Sequence, residues 1–168
     1  LAHQGLQEQF MARSVRKLYL ALCHGAPSRD QFVCEGRIGR NRARPTQMTV
    51  MRRPGQGREA RTDFKVLRRF PPDRKAGRGA IFLVLAKPHT GRTHQIRVHL
   101  AKAGFPVLAD ETYGKEAAIQ ELGLKRQALH AWRLEFDHPR TGKRMLIEAP
   151  LADDIRSALE VLGGKWPL

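Results

Sequence analysis

Apolar residues recur along the chain with two periods, and the switches between them mark its elements. Leu6, Phe10 and Met11 share one face of a 3.6-residue repeat and predict an amino-terminal helix. No capping residue precedes it, so it reads as a helix cut from something longer. The period then becomes two. In RKLYLALCHG (16–25), Leu18, Leu20 and Leu22 point one way and Tyr19 and Ala21 the other, predicting a strand with one buried face. DQFVCEGRIGRN is punctuated by glycine and leads through a hairpin or loop, and TQMTVMRR is a second strand candidate. PGQGRE (54–59) is a loop, EARTDFKVLRRF (59–70) alternates as a strand, and PPDRKAGRG is an exposed basic loop. AIFLVLAKP (80–88) is almost continuously apolar and predicts a central strand covered on both faces.

The helical period returns after residue 90. Thr90 or Thr93 is placed to cap a helix whose stripe is Ile96, Leu100 and Ala103 and whose end is Gly104. FPVLADETYGK is a turn-rich link, with a short helix expected near 117–122. QALHAWRLEFDHP and KRMLIEAP predict a hairpin about the turn RTG. Asp153 or Asp154 caps a last helix through Leu162, stopped by Gly163-Gly164. Six or seven strands and three or four helices, joined mostly by short turns, predict an α+β fold: a mixed, largely antiparallel β-sheet flanked by helices. No repeat or linker divides the chain, so residues 1–168 are expected to form a single domain.

Composition narrows the partner. There are 31 Lys+Arg against 16 Asp+Glu, a formal net charge of +15. Such an imbalance in a chain that is 41% hydrophobic suits a folded domain with a polyanionic partner, nucleic acid first. No run of about 18 apolar residues is present, so no membrane span is expected. No secretion signal is evident, and Cys23 and Cys34 form neither a CxxC pair nor a disulfide framework, which fits a reducing, cytoplasmic setting. His94 and His99 are off the i, i+4 spacing of zinc ligands and no HExxH occurs, so no metal is expected.

HTGRTHQIRVHL (89–100) concentrates the candidate chemistry. A helix amino terminus offers unpaired N–H groups and partial positive charge, and Arg92 and Arg97 add cations suited to carboxylate or phosphate. Read as far as Gly114, TGRTHQIRVHLAKAGFPVLADETYG resembles a segment of the RluA-type RNA pseudouridine synthases: TGRTHQIR-x-H, then G-x-P, then G-D-x-x-Y-G. Three further stretches agree in order. KLYLAL (17–22) is similar to the family's K-x-Y-x-A strand, EARTDFKVL (59–67) to its A-x-T-x-aromatic-x-V strand, and LHAWRLEFDHPRTGKRMLIEAPL (129–151) to its LHA-x-x-L-x-F-x-HP-x-TG close. The resemblance covers essentially the whole chain. Ala109 stands where the family usually has glycine, and LADD replaces L-P-x-D.

The resemblance implies the pseudouridine synthase fold, isomerisation of specific uridines in structured ribosomal or transfer RNA, no cofactor and a monomeric enzyme. Arg97 corresponds to the arginine that pairs with the catalytic aspartate. Tyr19 corresponds to the tyrosine that packs on the target base, its phenol also placed to assist proton movement at C5. Lys17 is structural or phosphate-binding. Arg92, Thr93, His94 and Gln95 are expected to contact RNA or hold the loop, with no base role for His94. His99 is expected to pack structurally. Asp110 and Tyr113 are expected to fix a supporting turn. The basic loops at 39–45, 52–61 and 71–79 are expected to follow phosphates. The family aspartate lies in an H-R-L-D motif ahead of the K-x-Y-x-A strand, and no RLD triplet occurs in this chain. The expectation is therefore a carboxy-terminal part of a catalytic domain, inactive by itself, with Arg97 lacking its partner. A non-catalytic basic RNA-binding module is the second reading.

Overall fold

Alternating apolar positions build one sheet, and the helical stretches cover it. The computed structural model describes residues 2–114 and 120–167. Its strands are β1 (Arg16–His24), β2 (Gln31–Arg40), β3 (Met48–Val50), β4 (Arg58–Phe70), β5 (Ile81–Pro88), β6 (Leu129–Asp137) and β7 (Arg144–Glu148). They form a single seven-stranded sheet in the order β3-β2-β4-β5-β1-β6-β7. Three helices accompany it: α1 (Ala2–Met11), α2 (Gln95–Lys102) and α3 (Asp153–Val161). The α+β expectation holds. Every strand pairing is antiparallel, so the expected mixed character is absent among the described residues. Connectivity explains part of this: β2 to β3, β4 to β5 and β6 to β7 are sequence neighbours joined directly, and a tight connection joins antiparallel strands.

β5 is the central strand, with Ile81, Phe82, Leu83, Val84 and Ala86 all buried. β1 departs from its expected single buried face. Leu20 and Leu22 are fully buried, but so are Ala21 and Cys23, whose small side chains let the second face be covered as well. The glycine-punctuated stretch 31–40 is a full strand rather than a loop. Gly36 serves close packing there, because a Cβ would sit 2.8 Å from Val50 Cγ1 on the neighbouring β3. Of the helix expected near 117–122, residues 117–119 lie outside the described residues, and Gln120–Leu122 form a single 3-10 turn.

The helix starts differ from expectation. His94, not a threonine, is the N-cap of α2, with φ 55° and no side-chain capping bond. Thr90 is turned away to donate to Gln95 Oε1 at 2.6 Å, and Thr93 is exposed. Ala152 caps α3, leaving Asp153 and Asp154 in its first turn, where their charge still interacts favourably with the positive end of the helix dipole. α1 buries none of its residues, and Phe10 and Met11 are exposed. It is held to β6 by the Gln9 amide, which donates to Asp137 O at 2.7 Å and accepts from Asp137 N at 2.8 Å.

The register fixes which end of the sheet carries the site. Thr62 of β4 faces Pro88 of β5, and Phe70 faces Ile81. Residues 88–97 therefore lie at the Thr62 end, with loops 41–47 and 51–57 at the same end. The basic loop 71–80 joins Phe70 to Ile81 at the opposite end, roughly 26 Å away at about 3.3 Å per residue. It is too remote to share a short stretch of backbone with the other two.

Candidate functional site

Gln95 organises the turn from β5 into α2. Its Oε1 accepts from Thr90 Oγ1 (2.6 Å) and Arg92 N (3.0 Å), and its Nε2 donates to Arg61 O and Thr62 Oγ1 (both 3.0 Å). All its donors and lone pairs are thus taken within the chain. Gln95 therefore holds the loop, one of the two roles expected of it, with its amide groups already satisfied within the chain. Thr62 Oγ1 lies 2.9 Å from Nδ1 of buried His99, whose other ring nitrogen has no partner among the described residues. Burial pushes the His99 imidazole down to about 4, so it packs as a neutral ring.

α2 carries Arg97 one turn along. The chain then runs back beside β1, with His24 N donating to Pro106 O (3.0 Å) and Leu108 N to Leu22 O (2.9 Å). That return brings Asp110 under Arg97. Arg97 Nε and Nη2 donate to Asp110 Oδ2 and Oδ1 at 2.7 and 2.6 Å, a bidentate pair with the carboxylate fully buried. Arg97 is therefore not unpartnered in this chain, and that expectation is overturned. Asp110 Oδ1 also accepts from Thr112 N and Tyr113 N, and Gly114 N donates to Asp110 O at 2.7 Å. Only glycine fits at 114, since a Cβ would meet that carbonyl at 2.5 Å. Burial alone would raise the Asp110 carboxyl. The hydrogen bonds and charge of Arg97, with the two N–H groups, outweigh it and hold the carboxyl below its ordinary value. The Arg97 guanidinium is raised in return.

Tyr113 completes the turn, as expected of a supporting residue. Its ring lies 5.0 Å below the Arg97 guanidinium carbon. Its hydroxyl accepts from Met48 N (2.9 Å) and sits 2.9 Å from His94 Nδ1. The hydroxyl proton has no other acceptor among the described residues, so the arrangement that satisfies every group has Tyr113 donating to His94 Nδ1. The His94 proton then resides on Nε2. Burial and the nearby Arg97 charge lower its pKa, keeping the ring neutral at pH 7.

Above these residues opens a cavity of about 330 Å³. Tyr19, Leu129 and Ile96 supply apolar wall, and Lys17, Arg92, His94 and Arg97 supply donors. Tyr19 and Lys17 both face it from β1, and burial raises the Tyr19 phenol, which stays protonated at neutral pH. Arg92 donates through Nε to Glu59 O (3.1 Å) and has no carboxylate partner among the described residues. Six expected site residues therefore meet at this cavity: Lys17, Tyr19, Arg92, His94, Gln95 and Arg97. Thr93 is not on its wall. No acidic residue lines it among the described residues. Sequence reading missed the Asp110–Arg97 pair and the Met48–Tyr113–His94 chain. The signal for the first was present in A-D-E-T-Y-G; the second joins residues 65 positions apart.

No group of His, Cys, Asp and Glu among the described residues is arranged to hold a metal. No helix of the described residues is long and apolar enough to cross a membrane. A family model described as RNA pseudouridylate synthase matches residues 1–102. The chain is 41% identical to the uncharacterized RNA pseudouridine synthase YlyB of Bacillus subtilis (strain 168), over 96% of this chain and 49% of that protein. It is 39% identical to the ribosomal large subunit pseudouridine synthase D of Nitrosomonas europaea, over 94% of this chain and 44% of that protein. Among solved structures, human RNA pseudouridylate synthase domain containing 1 matches with a TM-score of 0.74 at 31% identity, covering 92% of this chain and 63% of that one. The chain belongs to the RNA pseudouridylate synthase family. It spans about half the length of the curated relatives it matches.

Proposed function

We propose that this chain forms the Tyr19–Arg97 side of the pocket of an RNA pseudouridine synthase, an isomerase that converts specific uridines of structured RNA to pseudouridine. The observation that carries the reading is a cavity of a size for one nucleobase, lined by Tyr19 and Arg97 with further apolar wall from Ile96 and Leu129. Two relatives named for the ribosomal large subunit favour ribosomal over transfer RNA as the substrate. The reading takes residues 1–168 as part of one catalytic domain, working as a monomer in the cytoplasm with no metal or organic cofactor.

In the reaction the C1′–N1 bond breaks, the base turns and a C1′–C5 bond forms; the C5 proton leaves to solvent or the enzyme and N1 takes up a proton from the same sources, so substrate and product are isomers. Nothing is oxidised or reduced. A uridine in a duplex has to be flipped out to reach such a cavity. Tyr19 then packs on the base with its phenol protonated. Asp110 takes the Nε and one Nη2 proton of Arg97, so the Nη1 side remains for a second oxygen, that of the family aspartate. The aspartate itself is not among the residues that line the cavity.

The test is tritium release from ribosomal RNA labelled at uridine C5, with the full-length protein. Arg97→Ala is expected to cut turnover far more than RNA affinity. Arg97→Lys, which keeps a cation beside Asp110, separates loss of the fork from loss of charge. Equal losses of turnover and affinity would remove Arg97 from the reaction. The 168 residues alone are expected to release no tritium above background. The second reading is a basic RNA-binding module without catalysis, and absence of release by the full-length protein would select it.

A further inference from the structure

The cavity does not end at Lys17. That residue and Pro88 also line a second groove of about 480 Å³, walled by Arg13, Arg16, Lys17, Lys87, His89 and Arg144. We propose that this groove is a phosphate site, taking the RNA backbone next to the nucleotide held in the cavity. The proposal rests on the RNA-modifying reading above and adds to it the path of the strand.

Charge accounting distinguishes this groove from its neighbours. None of its lining residues is acidic. Carboxylates outside it reach only some of its cations. Arg16 and Arg144 share Glu135 (3.5 and 3.7 Å), Arg144 also meets Asp137 (3.2 Å), and His89 meets Asp63 (2.7 Å). Arg13, Lys17 and Lys87 have no carboxylate partner among the described residues. Gathering three unneutralised cations in one groove opposes folding unless a polyanion from outside compensates them. The adjoining groove on the other side of Arg13 is of similar size, about 410 Å³, yet differs in chemistry. Its arginines other than the shared Arg13 are already neutralised, Arg37 by Glu59 at 3.4 Å and Arg61 by Glu35 at 2.6 Å. The favourable route for phosphates therefore leads from the cavity past Lys17 toward Arg144 on β7.

Two further observations agree. Lys17 and Tyr19 face the cavity from one strand, two residues and about 7 Å apart. That is the scale of one nucleotide, so a base on Tyr19 brings a flanking phosphate to Lys17. Burial lowers the Lys17 ammonium, as expected of a cation kept from water with no counter-charge. Arg13 sits just beyond α1 with φ 59°, a left-handed conformation where glycine is usual and other residues are strained. The side chain so placed opens into both grooves.

The experiment uses the full-length protein and a fluorescein-labelled ten-residue oligouridylate, with affinity measured across a salt series. Arg13→Ala/Lys87→Ala is compared with Arg74→Ala/Lys75→Ala, which removes the same charge from the loop at the far end of the sheet. For single strands each lost phosphate contact lowers the slope of log K against log salt by about 0.7. The first pair is expected to lower it by about 1.4, and the control pair by less than half of that. The charge-keeping pair Arg13→Lys/Lys87→Arg is expected to retain the wild-type slope, which guards against a folding defect. Equal slopes for the two alanine pairs would show that only net charge matters and would overturn the site. Tritium release by the wild-type protein reports the functional reading separately. A protein that binds with the expected slopes but releases no tritium keeps the phosphate site and loses the enzymatic reading.

Discussion

Asp110→Asn is the substitution whose consequence the structure defines most sharply. The side chain keeps its size and one carbonyl oxygen, so no cavity opens. What disappears is the charge facing Arg97, at a place where the Asp110 side chain is 0% and the Arg97 side chain 11% exposed. One carboxylate oxygen becomes an NH₂ pointed at a guanidinium, so a charge-assisted bond is replaced by a clash of donors. Removing one partner of a buried pair destabilises by about 3–5 kcal/mol, and the isosteric change belongs at the lower end, about 3 kcal/mol. For a domain of this size, about 2–4 °C of melting temperature accompany each kcal/mol, so Tm should fall by about 6–12 °C. The acid limb gives a second reading. The folded-state carboxyl lies below its ordinary value, so its contribution is present above the unfolded pKa of about 3.9 and is lost as pH falls through the folded value. The Asn variant cannot titrate there and should lose less stability than wild type below about pH 4. Urea titrations at neutral and acid pH measure both effects. A loss under about 1 kcal/mol at neutral pH, the range of exposed ion pairs, with an unchanged acid limb, would refute the reasoning.

Three other expectations follow from single residues. Ala109 is left-handed, with φ 54°, where the resemblance places glycine. That conformation costs an alanine about 1–2 kcal/mol, of which glycine's greater unfolded freedom returns about 0.5–1, so Ala109→Gly should stabilise by about 0.5–1 kcal/mol in urea denaturation. A destabilised variant would mean the methyl group packs usefully. His99 is buried with its folded value depressed to about 4, so the unfolded chain takes up the proton first as pH falls from about 6.5. Stability should drop by about 3 kcal/mol between those values, and His99→Gln should flatten that slope. An identical slope in the variant would show that another group titrates. Nitrogen-15 NMR should find the His94 proton on Nε2 in the wild type and a mixture of tautomers in Tyr113→Phe; a proton on Nδ1 in the wild type would undo the hydrogen-bond assignment.

Much of the architecture was legible because period and register are local properties. Ile81 to Ala86 read as a central strand because no polar residue interrupts them, and they are the middle of the sheet. Leu18, Leu20 and Leu22 placed Tyr19 on the opposite face, where the cavity is. The misreadings have a common cause. Gly36 looked like a strand breaker because the side chain that needs its space, Val50, lies fourteen residues on, on another strand. Thr90 and Thr93 looked like caps because the demand of Gln95 for a hydroxyl donor is invisible along the chain. Which of its two expected roles Gln95 fills was not legible, because its saturation depends on Arg61 and Thr62 of β4.

The sequence by itself determined the elements, the α+β class, the excess of positive charge and the motifs that carry Tyr19, Arg97 and Asp110. Those follow from side-chain period, net charge and short motifs, which need no knowledge of distant neighbours. Only the tertiary structure decided that Arg97 is neutralised by Asp110, that His94 is oriented through Tyr113 by the β3 backbone, and which cations remain without a counter-charge. Each of these depends on groups far apart in sequence brought within hydrogen-bonding distance in a buried setting, where satisfaction and charge balance are settled by three-dimensional neighbours alone.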